Sequence, residues 1–171
     1  MSLSFTLGLL LAAQQTSPAP VAAAQPPGAA APCASPEYHQ LDFWVGRWEV
    51  YGPKGKKVGH SLIEKVYGCG IRENWMPFNN QVGGSLSTYV PGEKHWEQFW
   101  IDSSGSRATF SGGWNGSAMV IQGEWGGPIV RMSYSKSADG SVRQFGEQST
   151  DGGKTWAVSF DFIYRPSKDE F

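Results

Sequence analysis

The chain has 171 residues, which suits one domain of ordinary size. Its 14 basic and 15 acidic residues leave a net charge of -1, so the balance excludes a polyphosphate-binding surface or a charged tail as the main feature. Aromatic residues reach 13% and glycines number 22, whereas charged residues make up only 17%. This composition indicates a compact β protein rather than a disordered chain or a helical bundle.

The N-terminal segment has the features of an export signal. Residues 5–13 form an apolar run that is shorter than the roughly 20 residues needed to cross a bilayer. Small residues at Ala22 and Ala24 then supply a cleavage context. We therefore predict a signal peptide over 1–24 with cleavage after Ala24, a secreted or periplasmic protein without a membrane span, a Pro/Ala-rich linker over 25–36 and a folded domain over 37–168.

Two cysteines, Cys33 and Cys69, remain after that cleavage. In an oxidising compartment they are predicted to form a disulfide. Acylation of Cys33 as a lipoprotein is the competing interpretation, but Ala30, Ala31 and Pro32 stand directly before it in place of the leucine-containing lipoprotein motif. The cysteines and the three histidines show no metal-ligand spacing, so no metal site and no cofactor are expected.

The rest of the chain alternates short β-prone runs with turn residues. Tight turns join neighbouring runs, which favours an antiparallel meander closed into a single up-and-down β-barrel of about ten strands, with a short N-terminal extension. The predicted strands are 47–52, 57–67, 71–76, 84–90, 95–102, 107–114, 118–124, 129–135, 142–149 and 156–165.

Several strands place polar residues on an otherwise aromatic face. In a barrel with an internal cavity, such groups orient a bound molecule. The predicted ligand is a small hydrophobic or amphipathic molecule, and the candidate ligand-binding residues are Glu73, Trp75, Trp96, Gln98, Trp100, Glu147, Phe160 and Phe162. The alternative is that the two glutamates form buried ion pairs with Arg72, Arg131 or Arg143 and only specify the fold.

Two other function classes stay open. A carbohydrate-interacting module would expose Trp44, Trp114 or Trp125 as a flat platform. A hydrolase would use Glu73 and Glu147 as acid and base. No nucleophile elbow, phosphate-binding loop or metal constellation supports catalysis, so no catalytic residue is assigned, and no nucleic-acid partner is expected; the oligomeric state is left open.

Residues 41–50, L-D-F-W-V-G-R-W-E-V, resemble the opening L/F-D-F-W-x-G-x-W motif of a family of secreted bacterial proteins that are lipocalin-like in predicted fold. The resemblance continues through Gly68 to Trp75, Trp96 to Asp102 and the segment 149–156. It implies a calycin-type barrel in which Trp48 closes the base and Arg165 lies across its ring. Nitrobindins resemble this architecture too, but they hold haem on a late histidine, and this chain has none after His95.

The segment 149–156, S-T-D-G-G-K-T-W, also matches the Asp-box pattern of sialidase propellers. A single copy cannot build a propeller. We therefore interpret it as a hairpin turn in which Asp151 accepts backbone N–H groups and the two glycines allow positive φ.

Overall fold

The structure is a computed structural model, and it describes residues 33–171. The predicted signal peptide and residues 25–32 of the predicted linker lie outside these residues, whereas residues 33–36 of the linker are described. Three short 3-10 helices occupy Pro36–His39, Asp42–Trp44 and Pro53–Gly55. The ten strands are β1 (Gly46–Tyr51), β2 (Lys57–Val66), β3 (Gly70–Pro77), β4 (Gly83–Val90), β5 (His95–Asp102), β6 (Arg107–Trp114), β7 (Met119–Glu124), β8 (Ile129–Lys136), β9 (Val142–Ser149) and β10 (Ala157–Pro166).

The strands form a closed antiparallel barrel. Each strand pairs with its neighbour in sequence, and β1 pairs with β10 to close the ring, with Glu49 opposite Arg165. The predicted up-and-down barrel is therefore confirmed. Closure leaves no unpaired edge among these strands, which explains why short, glycine-rich strands suffice. In residues 33–171, no helix is long and apolar enough to cross a membrane.

Side-chain oxygens fix several of the hairpin turns. Asn115 accepts the backbone N–H groups of Ser117 and Ala118 at 3.0 and 2.9 Å. In the β9–β10 turn, Asp151 accepts those of Lys154 and Thr155 at 3.0 and 2.9 Å. These bonds satisfy backbone N–H groups that have no partner in the strand ladder, and so stabilise the turns.

The residues before β1 close one end of the barrel. Trp44 is fully buried, and its ring lies 4.7 Å from that of Tyr134 and 6.0 Å from that of Tyr164. The indole N–H of Trp48 donates to the Trp44 carbonyl at 2.8 Å. Leu41 is buried beside them. We call residues 35–45 the plug, because their apolar side chains fill the end of the barrel that the strands leave open.

The predicted disulfide is confirmed. Cys33 is bonded to Cys69 in the turn between β2 and β3, with their Cα atoms 5.5 Å apart. The bond attaches the chain immediately before the plug to the barrel wall. Lys65 strengthens the same attachment, since its ammonium pairs with Asp42 and donates to the Tyr38 carbonyl at 3.3 Å.

The expected stacking of Arg165 on Trp48 is wrong. Trp48 points inward and is buried, whereas Arg165 lies opposite Glu49 on the outer face. The Arg165 guanidinium instead lies 4.7 Å from the centre of the Tyr51 ring. Alternation explains the difference, because the residue paired with Trp48 is Pro166, one position further along β10.

Candidate functional site

A cavity of about 570 Å3 occupies the barrel interior on the side away from the plug. Its mouth is surrounded by residues from the β1–β2 and β3–β4 loops, the start of β2 and the end of β5: Lys56, Lys57, Asn79, Gln81 and Asp102. Its volume lies within the roughly 300–1,000 Å3 of ordinary small-molecule sites. The plug closes one end and the loops leave the other accessible, so a ligand would enter between the loops.

Aromatic rings form most of the cavity wall. In one group, Phe162 stacks on Trp75 with ring centres 5.7 Å apart and on Phe160 at 5.3 Å. In the other, Trp125 lies 6.0 Å from Trp100 and 6.2 Å from Phe110. Both groups line the same cavity. Their faces offer large apolar area with a partial negative charge, which suits flat apolar or cationic groups.

Polar side chains form the deep end of the cavity, between the aromatic walls and the plug. Tyr164 donates to Oε1 of Gln144 at 2.6 Å, and Gln144 Nε2 donates to the hydroxyl of Tyr134 at 3.0 Å. Tyr134 then donates to Gln98 Oε1 at 3.4 Å. Gln98 Nε2 completes the series by donating to Ser87 at 3.1 Å. We call these five linked side chains the polar chain.

Glu73 lies at the head of the polar chain. Its carboxyl oxygens are within 3.2 Å of Ser61 Oγ, 3.3 Å of Ser85 Oγ and 3.3 Å of the Tyr164 hydroxyl. The residue is only 4% exposed. Burial raises the pKa of Glu73 to about 7, because the loss of water outweighs hydrogen bonds from three neutral hydroxyls.

No arginine neutralises Glu73. Of the three arginines considered from the sequence, Arg72 pairs with Glu64 at 2.6 Å, Arg131 with Glu147 at 2.9 Å and Arg143 with Asp161 at 2.8 Å. Within residues 33–171, no basic side chain lies within ion-pair distance of the Glu73 carboxyl. A structural ion pair therefore does not account for this buried acid.

Six of the eight candidate residues line this one cavity: Glu73, Trp75, Gln98, Trp100, Phe160 and Phe162. They come from β3, β5 and β10, so strands distant in sequence bring them together. The other two, Trp96 and Glu147, lie elsewhere.

Trp96 points inward but lies at the plug. Its indole N–H donates to Gln40 at 3.1 Å, and its ring lies 6.4 Å from that of Tyr89. It is 1% exposed and packs in the core below the cavity. The alternation of β5 assigns its face correctly but carries no information about depth along the barrel.

Glu147 lies on the outer face. It pairs with Arg131, whose guanidinium lies 4.1 Å from the centre of the Trp156 ring. The inward residues of β9 are instead Val142, Gln144 and Gly146. Glu73 and Glu147 are thus on opposite sides of the barrel wall and cannot act on one substrate as acid and base, which removes the geometric basis of the hydrolase hypothesis.

A β-bulge interrupts the alternation of β10. Strict alternation would place Val158 on the same face as Phe160 and Phe162, but the pairing shifts between Val158 and Phe160. Val158 is 64% exposed, whereas Phe160 and Phe162 line the cavity. No turn residue marks this bulge in the sequence.

Sequence reasoning missed several cavity residues. Tyr164 contacts Glu73 and Gln144 contacts Tyr164, and their only sequence signal is an inward position next to an aromatic residue. Gly146 carries a clearer signal, since a Cβ there would lie 2.3 Å from Phe160. Further cavity residues that the sequence did not assign are Val58, Phe110, Trp125 and Met132.

The tryptophans do not form an exposed platform. Trp44 is fully buried and Trp125 lines the cavity, its indole N–H donating to Ser106 at 2.7 Å. Trp114 is 39% exposed and packs edge-on against Phe43 at 6.0 Å. Of the three proposed platform residues, then, only one faces solvent, so the geometry disfavours the carbohydrate interpretation.

One cluster outside the cavity offers metal-ligand atoms. His95 lies 3.6 Å from Glu93 and 3.3 Å from Glu97, near the β4–β5 turn. The cluster lies at the protein surface, where contacts of this kind contribute little to stability.

No protein-family profile and no curated protein matches this chain. The role of the cavity therefore has to be inferred from its own residues.

Proposed function

We propose that the barrel binds a small, largely apolar organic molecule in its interior cavity. The cavity itself carries this proposal: about 570 Å3 of space, walls of aromatic rings and a few convergent polar groups at one end. Well-packed interiors leave few voids larger than a water molecule, so a space of this size is not a by-product of ordinary packing.

We also propose that the protein works outside the cytoplasm. The disulfide between Cys33 and Cys69 supports an oxidising compartment, and the apolar run at 5–13 supports export. The resemblance of residues 41–50 to a secreted lipocalin-like family supports the same proposal.

Native mass spectrometry of the full chain expressed with its own N-terminus and recovered from the periplasm tests both parts. A mature mass beginning at Gln25 supports export and cleavage after Ala24. A stoichiometric bound molecule supports the cavity and reports its ligand class. An uncleaved cytoplasmic product would contradict the proposed compartment.

A fluorescence titration with the neutral apolar probe N-phenyl-1-naphthylamine tests the cavity directly. Trp100→Ala removes a wall ring and is expected to weaken probe binding at least tenfold. Trp114→Ala, which removes an indole outside the cavity, is the matched control and should bind as the unaltered protein does. Equal affinity in both variants, with the fold intact by circular dichroism, would place the probe elsewhere and overturn the proposal.

A further inference from the structure

Within residues 33–171, Glu73 has no counter-ion, and it lies at the polar deep end of a cavity whose walls are mostly aromatic. The cavity is also lined by the amides Gln98 and Gln144 and the hydroxyl of Tyr164, none of which carries a charge at neutral pH, and burial raises the pKa of Tyr164 further above its usual value. Among the described residues, the other charged groups on the lining are Lys56, Lys57 and Asp102, and these surround the mouth. The interior that these residues form thus has one site for a positive charge and none for a negative one.

The hydrogen bonds to Glu73 are too long to satisfy an ionised carboxylate. Hydroxyl bonds to carboxylates usually measure about 2.5–2.7 Å, whereas the three here measure 3.2–3.3 Å. Ser61 also shares its single proton with the Asn74 carbonyl at 3.4 Å. Lone pairs of the carboxyl are therefore available to a ligand.

The contacts of Tyr164 add a second constraint. Its hydroxyl has one proton for two acceptors, Gln144 at 2.6 Å and Glu73 at 3.3 Å. Because the shorter contact takes the larger share of that proton, Glu73 receives only weak donation from Tyr164. Without a ligand, the arrangement favours the neutral acid.

We propose that the ligand is a small organic amine whose ammonium group pairs with Glu73 while its apolar body packs against the aromatic walls. This proposal rests on the proposed function and names the chemistry of its ligand. An ammonium supplies the missing counter-ion and donates to the free lone pairs, and the rings of Trp75 and Phe162 add cation–π attraction. A carboxylate ligand would find no positive partner at this depth.

The mouth does not repel such a ligand. Lys57 is paired with Glu49 at 2.6 Å, and the other two charged residues of the mouth, Lys56 and Asp102, carry opposite charges. The charges at the entrance therefore nearly cancel, and selection by charge occurs at the deep end.

Binding of the amine should release a proton to solvent, and this release can be measured. When the ammonium pairs with Glu73, the carboxyl proton leaves to solvent and the acid becomes a carboxylate. The groups packed on Glu73 from β2, β4 and β10 are Ser61, Ser85 and Tyr164, and Tyr134 lies further along the chain on β8. None of them titrates near neutral pH, so the released proton is that of Glu73.

Three indole compounds of nearly equal size provide the test: tryptamine, which is cationic, tryptophol, which is neutral, and indole-3-acetate, which is anionic. Calorimetry on the full chain, in two buffers of different ionisation enthalpy, measures affinity and proton release. We expect tryptamine to bind at least tenfold more tightly than tryptophol, and indole-3-acetate to bind most weakly. Close to one proton should leave per complex at pH 6 and close to none at pH 8.

Two variants test whether Glu73 is responsible for the preference for tryptamine and for the proton release. Glu73→Gln keeps the shape and the hydrogen bonds but not the charge, so it should abolish both the tryptamine preference and the proton release. Glu147→Gln, on the outer face, should retain both. The proton release of the unaltered protein tests the proposal even if Glu73→Gln does not fold.

Other outcomes separate this inference from the proposed function. If tryptophol or indole-3-acetate binds as tightly as tryptamine, or if N-phenyl-1-naphthylamine binds and no indole displaces it, the amine proposal is overturned and the cavity function stands. If neither the naphthylamine nor any indole binds, both are overturned.

Discussion

Tyr164 places its hydroxyl 3.3 Å from Oε1 of Glu73, a residue 91 positions earlier in the chain. The two strands that carry them, β10 and β3, are separated in the sheet by β1 and β2, so the contact crosses the barrel interior. The cavity therefore ends at a pair of side chains that no local sequence pattern connects.

The buried acid should make stability fall as the pH rises. The pKa of Glu73 is raised from 4.5 to about 7 by burial, so the folded protein holds this proton more tightly than the unfolded chain. Its contribution is complete below pH 4.5 and is lost as the pH rises through 7, a change of about 3 kcal/mol in the free energy of unfolding. Urea unfolding at pH 5 and pH 8 should show this loss in the unaltered protein and not in Glu73→Gln. Identical pH dependence in the two proteins would contradict it.

Gly146 should control the size of the cavity. A Cβ there would lie 2.3 Å from Cζ of Phe160, so Gly146→Ala drives that ring into the lumen. We expect the affinity for N-phenyl-1-naphthylamine to fall at least tenfold, with a loss of about 1–3 kcal/mol in stability. Gly113→Ala is the control, because a Cβ at Gly113 has open space. Unchanged probe affinity in Gly146→Ala would show that Phe160 does not bound the binding space.

Loss of the disulfide should destabilise the protein substantially. Cys33 and Cys69 are 36 positions apart, and closing a loop of this length contributes about 4 kcal/mol in the chain-entropy model. Urea unfolding of the double variant Cys33→Ser, Cys69→Ser measures this loss directly. Thiol titration of the exported protein under denaturing conditions should find no free thiol, and two free thiols would refute the pairing.

The β9–β10 turn should become less stable in acid, because protonation of Asp151 weakens the hydrogen bonds that the carboxylate accepts. Hydrogen bonds from the Thr155 side chain and backbone, and from Ser149, lower the pKa of Asp151 to about 2. A lowered pKa stabilises the fold above pH 3.8, and that contribution disappears as the pH falls to 2. Asp151→Ala should therefore lower the urea midpoint at pH 5, and the gap to the unaltered protein should narrow towards pH 2. A gap that is constant with pH would mean that the turn does not depend on the charge.

The strands and their order could be predicted from the sequence because both depend on local chemistry. Period-two alternation identifies a strand, and residues such as Asn115 and Asp151 identify the turns that make neighbours antiparallel. Tight turns throughout the meander leave few topologies besides closure. The same logic placed Glu73, Trp75, Gln98 and Trp100 on inward faces.

The alternation of residues along a strand could not identify the remaining site residues. Depth along the barrel separates Trp96 from Trp100, although both point inward. In β9, both faces of the strand carry polar and apolar residues, so the sequence does not show which face points inward. Gly146, on the inward face, has no side chain that would indicate its orientation. Cross-barrel contacts such as Tyr164 to Glu73 depend on closure, which is set by the whole sheet.

The seam between β1 and β10 has a kinetic consequence. Every other strand pair joins neighbours in sequence, whereas this one joins the two ends of the described barrel. Contacts of such high sequence separation are slow to form, so the seam closes late in folding and is a natural place for the barrel to begin opening. A ligand that touches Phe162 on one side of the seam and Trp75 on the other spans it from within. A bound ligand should therefore slow the opening of the barrel, because it contacts strands on both sides of the seam.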